Sequence, residues 1–270
     1  MNRINKTFDR LKKEKRRAFI PYITAGDPDI ATTKKIVMSL EKAGADLIEL
    51  GIPFSDPLAD GPTIQGAIYR ALKRGCTVKK VLAMVKGLRK TVDVPLVFMT
   101  YYNIVLNYGL KRFIKDAKSK GVDGIIVPDL PMEESGELTA LADKEDFCVI
   151  MLAAPTTPPG RFKEIAKKSR GFIYYVSLTG VTGVRKELSA KLKTEVGKLK
   201  KLTTKPVCVG FGVSNAPQAR RVAASSDGVI VGSAIIKTIE KNLANKSALL
   251  RRVTSFAESL AKAIHSVRSR

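Results

Sequence analysis

The residues best suited to chemistry lie in the stretch Glu49 to Gln65, where one carboxylate interrupts an apolar run and two more follow in a loop. The run Leu47 to Leu50 predicts a buried strand, and an unpaired carboxylate inside such a strand costs free energy unless it has a partner or a task. Asp56 and Asp60 come next, in a loop whose prolines stiffen the backbone by fixing φ. This arrangement favours general acid–base chemistry at Glu49, with a structural ion pair to one of the many cations as the alternative.

The composition indicates a globular protein, because 270 residues of which 44% are hydrophobic can bury a large core. No apolar run approaches the ~20 residues of a membrane span. The three cysteines have neither disulfide nor metal-ligand spacing, which predicts thiols in a reducing cytoplasm. The single histidine, His265, lies in a tail segment beside no other ligand type, so we expect no metal site.

The chain is strongly basic, with 48 lysines and arginines against 25 acidic residues and a formal net charge of +23. Such a balance can indicate a nucleic-acid partner. However, the cations are spread along predicted helices, and no aromatic residues interleave with them as in an RNA-binding motif. The pattern therefore favours a solvated, lysine-rich surface over nucleic-acid binding.

Apolar runs of strand type alternate with amphipathic helical segments along the chain. Because consecutive parallel strands need a crossover connection, this alternation predicts a parallel α/β sheet. Eight such units match a single (β/α)8 TIM-barrel domain over residues 1–270, and the lack of Gly-x-Gly-x-x-Gly after the first strand disfavours an open doubly wound sheet. The predicted strands are Ala18–Thr24, Leu47–Gly51, Leu96–Met99, Gly124–Val127, Cys148–Leu152, Phe172–Val176, Pro206–Gly210 and Gly228–Gly232.

An extra helix is predicted before the first strand. Ile4, Phe8 and Leu11 are spaced i, i+4, i+7 and form an apolar stripe. The stripe is short and contains no tryptophan, so it favours a helix that packs on the barrel over one that lies on a membrane.

Glycine-rich segments follow the last three predicted strands and indicate a phosphate site. They are Gly180 to Gly183, Gly210 to Gly212, and Gly232 with Ser233. Glycine lets backbone N–H groups approach a ligand closely, and Gly232-Ser233 opens into a predicted helix whose positive end would face a bound anion. Loops after strands seven and eight often bind phosphate in this fold, although glycines can also serve only as turn residues.

The residue types at the strand ends restrict the reaction. No predicted strand directs a lysine into the barrel, which disfavours Schiff-base chemistry, and the ligand types of a metal-dependent aldolase are missing. Carboxylates and tyrosines remain, which suits acid–base chemistry on a phosphorylated small molecule. Asp27 and Asp129 precede proline-containing turns, and turn formation explains them best.

Five segments resemble the alpha subunit family of tryptophan synthase, in order and over essentially the whole chain. The most specific is Glu49 to Gln65, which reads Glu-Leu-Gly-Ile-Pro-Phe-Ser-Asp-Pro-Leu-Ala-Asp-Gly-Pro-Thr-Ile-Gln. Two features depart from the family pattern: Met132 stands where a second proline is frequent, and the net charge is unusually positive. The other four segments are Pro21 to Pro28, Val127 to Pro131, Gly180 to Gly183 and Gly210 to Val213.

The resemblance implies a metal-independent carbon–carbon lyase of tryptophan biosynthesis that forms no Schiff base. Its reaction would be the reversible retro-aldol cleavage of indole-3-glycerol phosphate to indole and glyceraldehyde 3-phosphate. Glu49 would be the principal acid and base, protonating indole carbon three and helping to remove the glycerol hydroxyl proton. Asp60 would bind the indole N–H and stabilise positive charge on the ring, and Tyr174 would support the site.

The resemblance also implies which groups bind the rest of the substrate. The loop Leu178 to Leu188 matches the mobile lid of the family. The indole pocket would be lined by Tyr22, Leu152 and Phe211. The phosphate would be held by Thr182, Gly183, Gly212, Gly232 and Ser233.

The family further implies a partner, a beta subunit that carries pyridoxal phosphate and receives indole through a tunnel. The expected assembly is a heterotetramer of two alpha and two beta subunits, with no cofactor in this chain. Asp56, Pro57, Asn103 and Asn107 fall where the family meets that partner. On the residues alone, another phosphate-binding barrel, such as a sugar-phosphate isomerase, and a nucleic-acid-binding module stay open as alternatives.

Overall fold

The computed structural model describes residues 1–177, 185–210 and 212–268, with the side chains of 185–191 left out. Within these residues, the chain alternates between short parallel strands and the helices that connect them. The strands are β1 (Ala18–Thr24), β2 (Ile48–Gly51), β3 (Leu96–Met99), β4 (Gly124–Ile126), β5 (Cys148–Ile150), β6 (Leu152–Ala153), β7 (Ile173–Val176), β8 (Val207–Gly210) and β9 (Gly228–Val231).

The strands form one sheet in the order β5-β4-β3-β2-β1-β9-β8-β7-β6. A single stretch, residues 148–153, closes it into a barrel: β5 pairs with β4, and β6, which begins after Met151, pairs with β7. The sequence predicted one strand over Cys148–Leu152, and the stretch divides because its two halves bond to different neighbours. The predicted (β/α)8 barrel is therefore confirmed.

Helices cover the outside of the barrel and alternate with the strands along the chain, as the sequence predicted. Two of them, α3 and α5, were not predicted from the sequence; both begin within the loops that carry candidate site residues. A 3₁₀ turn, Met132–Ser135, precedes the seventh helix. The helices are α1 (Arg3–Lys13), α2 (Ile30–Lys42), α3 (Pro62–Lys73), α4 (Val78–Leu88), α5 (Tyr102–Tyr108), α6 (Leu110–Lys120), α7 (Gly136–Lys144), α8 (Pro159–Lys168), α9 (Arg185–Lys200), α10 (Ala216–Ala223), α11 (Ser233–Glu240) and α12 (Lys246–His265).

Helix α1 closes the N-terminal end of the barrel, as its apolar stripe predicted. Ile4, Phe8 and Leu11 are buried in the same cluster as the inward-facing strand residues, and the ring of Phe8 lies 5.6 Å from that of Phe172. Burial of these side chains excludes water from one end of the barrel. Space for a ligand inside the barrel is therefore expected at the opposite end, where the strands reach their C-termini.

Candidate active site

Glu49 lies inside the barrel wall on β2 and is fully buried. Alternate residues of a strand share a face, and Leu47, two positions earlier, packs among the inward-facing side chains. The parallel register puts Glu49 opposite Val97, one layer deeper in the barrel than the pair Gly51 and Met99. Neither carboxylate oxygen of Glu49 has a hydrogen-bond partner among the described residues.

Burial raises the pKa of Glu49 from its ordinary 4.5 to about 8. The physical cause is desolvation, because a carboxylate in an apolar interior loses its hydration and finds no cation to replace it. The sequence left open an ion pair between Glu49 and a basic residue, and no such pair occurs in the described part of the chain. A protonated carboxyl group at neutral pH is suited to donate a proton to a substrate.

Tyr22 lies next to Glu49, since β1 and β2 pair these two residues across the sheet. The side chain extends over Gly51, where an added Cβ would come within 2.1 Å of the phenol oxygen. Burial raises the pKa of Tyr22 strongly, and the negative charges of Asp60 and Glu49 raise it further. The phenol is therefore neutral and forms an uncharged wall beside the carboxyl group.

Tyr174 reaches the same interior from β7, on the opposite side of the barrel. It lies against Gly210, where an added Cβ would meet the ring at 2.8 Å. Burial raises the pKa of Tyr174 well above its usual value, with a further contribution from the charge of Glu49. Its neighbour Tyr175 faces outward, as the alternation of a strand predicted, and donates a 2.9 Å hydrogen bond to Glu195.

Asp60 is the second carboxylate near this interior, and Tyr101 holds it in place. The Tyr101 hydroxyl donates a 2.8 Å hydrogen bond to Asp60 Oδ2 and accepts one of 2.9 Å from the backbone N–H of Ala59. Burial raises the pKa of Asp60, and the hydrogen bond from Tyr101 opposes that rise. Sequence reasoning did not assign Tyr101 a role, although it lies among the polar residues that follow β3.

A cavity of about 510 Å³ opens at the C-terminal end of the barrel. Tyr22, the strand neighbour of Glu49, lines it, whereas Glu49 and Asp60 themselves do not. Tyr22 and Tyr174 line it, together with Gly212, Gly232 and Ser233. The positive end of α11 opens into it, because that helix begins at Ser233. The structure thus brings together both tyrosines and three of the five predicted phosphate-binding residues.

Two lysines that sequence reasoning missed also line this cavity. Lys237 and Lys241 lie one and two turns along the same helical face as Ser233, and both are exposed. Neither has a carboxylate partner among the described residues. The signal that could have found them is the i, i+4, i+8 spacing from Ser233, which puts them on one side of a helix.

The structure separates Leu152 from the cavity that Tyr22 lines. Leu152 packs against the inward-facing cluster and lines a neighbouring cavity of about 380 Å³ at the ends of β4, β6 and β7. Thr182, Gly183 and Phe211 lie outside the described residues, as does most of the predicted lid, Leu178 to Leu188.

The four residues expected to meet a partner lie on two adjacent segments near the barrel mouth. Asp56, Asn103 and Asn107 are exposed, and Asn107 donates a 2.9 Å hydrogen bond to Asn103. Each segment also carries an exposed leucine: Leu58 is 94% exposed and Leu106 is 50% exposed. Pro57 is half-buried between Asp56 and Leu58.

Other polar residues considered from the sequence have structural roles. Asp27 accepts hydrogen bonds of 2.8 and 2.9 Å from Arg70, and Asp129 accepts from the backbone N–H of Tyr102 at the start of α5. His265 contacts Asp46 at 2.8 Å, before β2 begins, and so lies at the end of the barrel away from the cavity. All three cysteines are buried free thiols.

Two kinds of feature are absent from the described residues. They contain no group of three or more histidine, cysteine, aspartate and glutamate side chains able to hold a metal ion. None of their helices is both long and apolar enough to cross a membrane.

Comparison with known proteins gives one consistent family. The sequence model of the tryptophan synthase alpha chain matches residues 8–265. The tryptophan synthase alpha chain of Caldanaerobacter subterraneus subsp. tengcongensis is 48% identical over 260 residues, which cover 96% of this chain and 98% of the relative. That of Geobacter sulfurreducens is 49% identical over 264 residues, which cover 98% and 99% of the two chains.

Solved structures give the same result. Tryptophan synthase subunit alpha from Legionella pneumophila superposes with a TM-score of 0.93 at 38% identity, covering 99% of this chain and 100% of the other. A chain of the aminoacrylate-bound form of tryptophan synthase from M. tuberculosis superposes with a TM-score of 0.86 at 33% identity, covering 98% and 100%.

Proposed function

The chain belongs to the tryptophan synthase alpha chain family, which cleaves indole-3-glycerol phosphate to indole and glyceraldehyde 3-phosphate, and we propose that Glu49 and Asp60 carry out this cleavage. The observation that carries the proposal is the burial of Glu49 without a hydrogen-bond partner among the described residues, at the strand position next to Tyr22, which lines the cavity together with Tyr174 and Ser233. A sugar-phosphate isomerase is no longer an alternative, because the family is a lyase.

Glu49 first acts as an acid. Its carboxyl group donates a proton to indole carbon three, which becomes tetrahedral, and the ring nitrogen gains positive charge. The resulting carboxylate then accepts the proton of the glycerol hydroxyl, the carbonyl of glyceraldehyde 3-phosphate forms, and the electrons of the broken carbon–carbon bond restore the indole ring. A pKa of about 8 supports both steps, because the group can be protonated at neutral pH and can also release its proton.

Asp60 stabilises the intermediate by accepting a hydrogen bond from the indole N–H while the ring is positively charged. The hydrogen bond from Tyr101 supports this role, because it fixes the carboxylate and keeps its charge. Tyr22 and Tyr174 are neutral side chains that exclude water from the reacting carbon. Indole packs between such rings without competing with solvent.

The phosphate group binds in the same cavity, among Gly212, Gly232 and Ser233. The proposal is supported by the helix that begins at Ser233, whose free N–H groups and positive end favour an anion. Thr182 and Gly183 are proposed to complete this site, and Phe211 to complete the indole pocket. Leu152, which packs on the inward-facing cluster, is proposed to border that pocket from the neighbouring cavity. Phosphate binding at one end and indole binding at the other orient the scissile bond toward Glu49.

The alpha chain has no cofactor of its own, and pyridoxal phosphate belongs to the beta subunit with which the family associates. We propose that Asp56, Pro57, Asn103 and Asn107 contact that subunit here. The exposed side chains of Leu58 and Leu106 support this assignment, because large apolar groups exposed beside polar ones are typical of protein interfaces.

The remaining proposals concern the whole chain. Residues 1–270 form one domain, supported by the larger of two buried clusters, which draws on residues from Phe19 to Ile264. The protein works in the cytoplasm, supported by three free buried thiols.

The test is turnover by the purified chain together with a tryptophan synthase beta subunit. Glu49→Gln keeps the shape of the side chain but can neither donate nor accept the proton, and we expect indole release to fall by about 10²-fold or more. Glu258→Gln is the matched control, because Glu258 is exposed on α12 and does not line the cavity. If Glu49→Gln retains most of the wild-type rate, the acid–base assignment is wrong.

A further inference from the structure

A second cavity, of about 1130 Å³, lies at the N-terminal end of the barrel, away from the candidate active site. Its wall comes from α1, α9 and α10 and from the segments just before four strands, represented by Arg17, Gly171, Pro206 and Asp227. Because the reaction takes place at the C-terminal ends of the strands, nothing in the cleavage chemistry requires a ligand here.

The lining of this cavity is strongly positive. Nine lysine and arginine side chains contribute to it, against the two carboxylates of Asp9 and Asp227. Asp227 is already fully engaged: its carboxylate accepts from Arg17 at 2.9 Å, from Lys200 at 2.5 Å and from the backbone N–H of Val207 at 3.0 Å. It cannot neutralise further cations of the wall.

Three of the cations have no carboxylate within salt-bridge distance in the described part of the chain. They are Lys12 on α1, Lys193 on α9 and Arg221 on α10, and all three are exposed. Lys205 differs, because its ammonium donates to backbone carbonyls at the end of α8, including that of Ala166 at 2.6 Å. Lys205 is therefore a capping residue and not a free binding group.

This cavity has more donors and positive charges than its acceptors can satisfy. The buried Nε of Arg17 has no acceptor among the residues that the structure describes, and burial together with the charge of Arg170 lowers the pKa of Lys205. Like charges gathered in one concave space repel each other, and a bound anion relieves that repulsion. A ligand with several linked phosphate groups neutralises several cations at once. A chloride ion carries one negative charge, so it neutralises only one.

We propose that this cavity binds a small organic polyphosphate, an anion of two or more linked phosphate groups. The three free cations project from α1, α9 and α10 toward one cavity, whereas a nucleic-acid surface has its cations along an extended stripe. The volume is close to the range of ~300–1000 Å³ that is usual for small-ligand sites. The site also accounts for part of the +23 net charge, which the lyase reaction does not explain.

The experiment is calorimetric titration of the full chain with inorganic tripolyphosphate. Excess glyceraldehyde 3-phosphate is present throughout, so that the substrate phosphate site is occupied. The test variant is Lys12→Ala/Lys193→Ala/Arg221→Ala. The control is Lys79→Ala/Lys86→Ala/Lys90→Ala, which removes the same charge from exposed lysines of α4 and the segment after it.

We expect the test variant to raise the Kd of tripolyphosphate about tenfold, and the control to change it by less than about threefold. Indole release should be the same in both variants, which separates this proposal from the assignment of the active site. Equal affinity in the two variants, or no binding to the wild type, would overturn it. So would tighter binding of a single-stranded RNA oligonucleotide than of tripolyphosphate.

Discussion

Tyr22 and Glu49 are neighbours in the barrel wall, because the parallel register of β1 and β2 pairs their Cα atoms. Tyr22 can lie over the C-terminal end of β2 only because residue 51 is glycine. The ring is part of the buried environment of Glu49, whose carboxyl group has no hydrogen-bond partner among the described residues. The raised pKa of Glu49 is thus a product of the packing around it.

The first prediction concerns stability against pH. The pKa of Glu49 is about 8 in the folded protein and 4.5 for an ordinary glutamate. Between these values the folded protein holds a proton that the unfolded chain has released, so the free energy of unfolding falls as pH rises through this window. Glu49→Gln removes this titration, and the variant should gain stability relative to the wild type from about pH 5 to about pH 8.

Urea denaturation at a series of pH values measures this difference. Glu258→Gln serves as the control, because an exposed carboxylate should leave the pH dependence unchanged. A difference between Glu49→Gln and the wild type that stays constant from pH 5 to pH 8 would contradict the raised pKa.

The second prediction concerns the support of Asp60. Tyr101→Phe removes the hydroxyl that donates to Asp60 and accepts from the N–H of Ala59. A hydrogen bond to a charged group contributes about 1.5–3 kcal/mol, so we expect kcat to fall about tenfold or more. The pKa of Asp60 should rise further and shift the pH–rate profile of cleavage, which a purely structural effect would not do.

Tyr102→Phe is the matched control, since it removes a hydroxyl from the adjacent residue. Its hydroxyl makes no hydrogen bond within the part of the chain that the structure describes. Equal pH–rate profiles for Tyr101→Phe and the wild type would show that Asp60 does not depend on this contact.

The third prediction concerns the close approach of Tyr22 to the backbone. Gly51→Ala would put a methyl group 2.1 Å from the phenol oxygen, so the ring must move away from its position beside Glu49. We expect a loss of stability of about 1–3 kcal/mol, together with a lower rate of indole release. Gly160→Ala is the control, because nothing lies within 4 Å of the added methyl group.

Thermal denaturation and indole release are measured on both glycine variants. If Gly51→Ala behaves like Gly160→Ala in both measurements, the position of Tyr22 does not matter for packing or reaction.

The fourth prediction concerns Lys237, which lines the active-site cavity one turn beyond Ser233. A cation there attracts the substrate phosphate over several ångströms without touching the reacting atoms. Lys237→Met should therefore raise KM about three- to tenfold with kcat nearly unchanged, and the effect should weaken at high ionic strength.

Steady-state kinetics at low and high salt test this, with Lys111→Met, a change at an exposed residue of α6, as the control. A drop in kcat without a change in KM would place Lys237 in the chemistry of the reaction and contradict its role in binding.

The sequence alone determined the barrel and the position of Glu49 in it. The apolar runs of the strands, the helices between them and the stretch from Glu49 to Gln65 are local patterns, and local patterns can be read without tertiary contacts. The glycines at the last strand ends, which we propose to bind phosphate, could be found for the same reason. Helices α3 and α5 were missed, because proline and glycine surround the start of one and the other is only seven residues long.

Only the tertiary structure decided which side chains surround those residues. Tyr101 and Asp60 are 41 positions apart, and no spacing rule links them. Glu49 has no partner in the described chain because of which side chains the neighbouring strands direct into the barrel. That missing partner, together with burial, raises the pKa of Glu49. Sequence patterns fix the direction of a side chain along its own element, whereas desolvation and hydrogen bonding depend on contacts between distant elements.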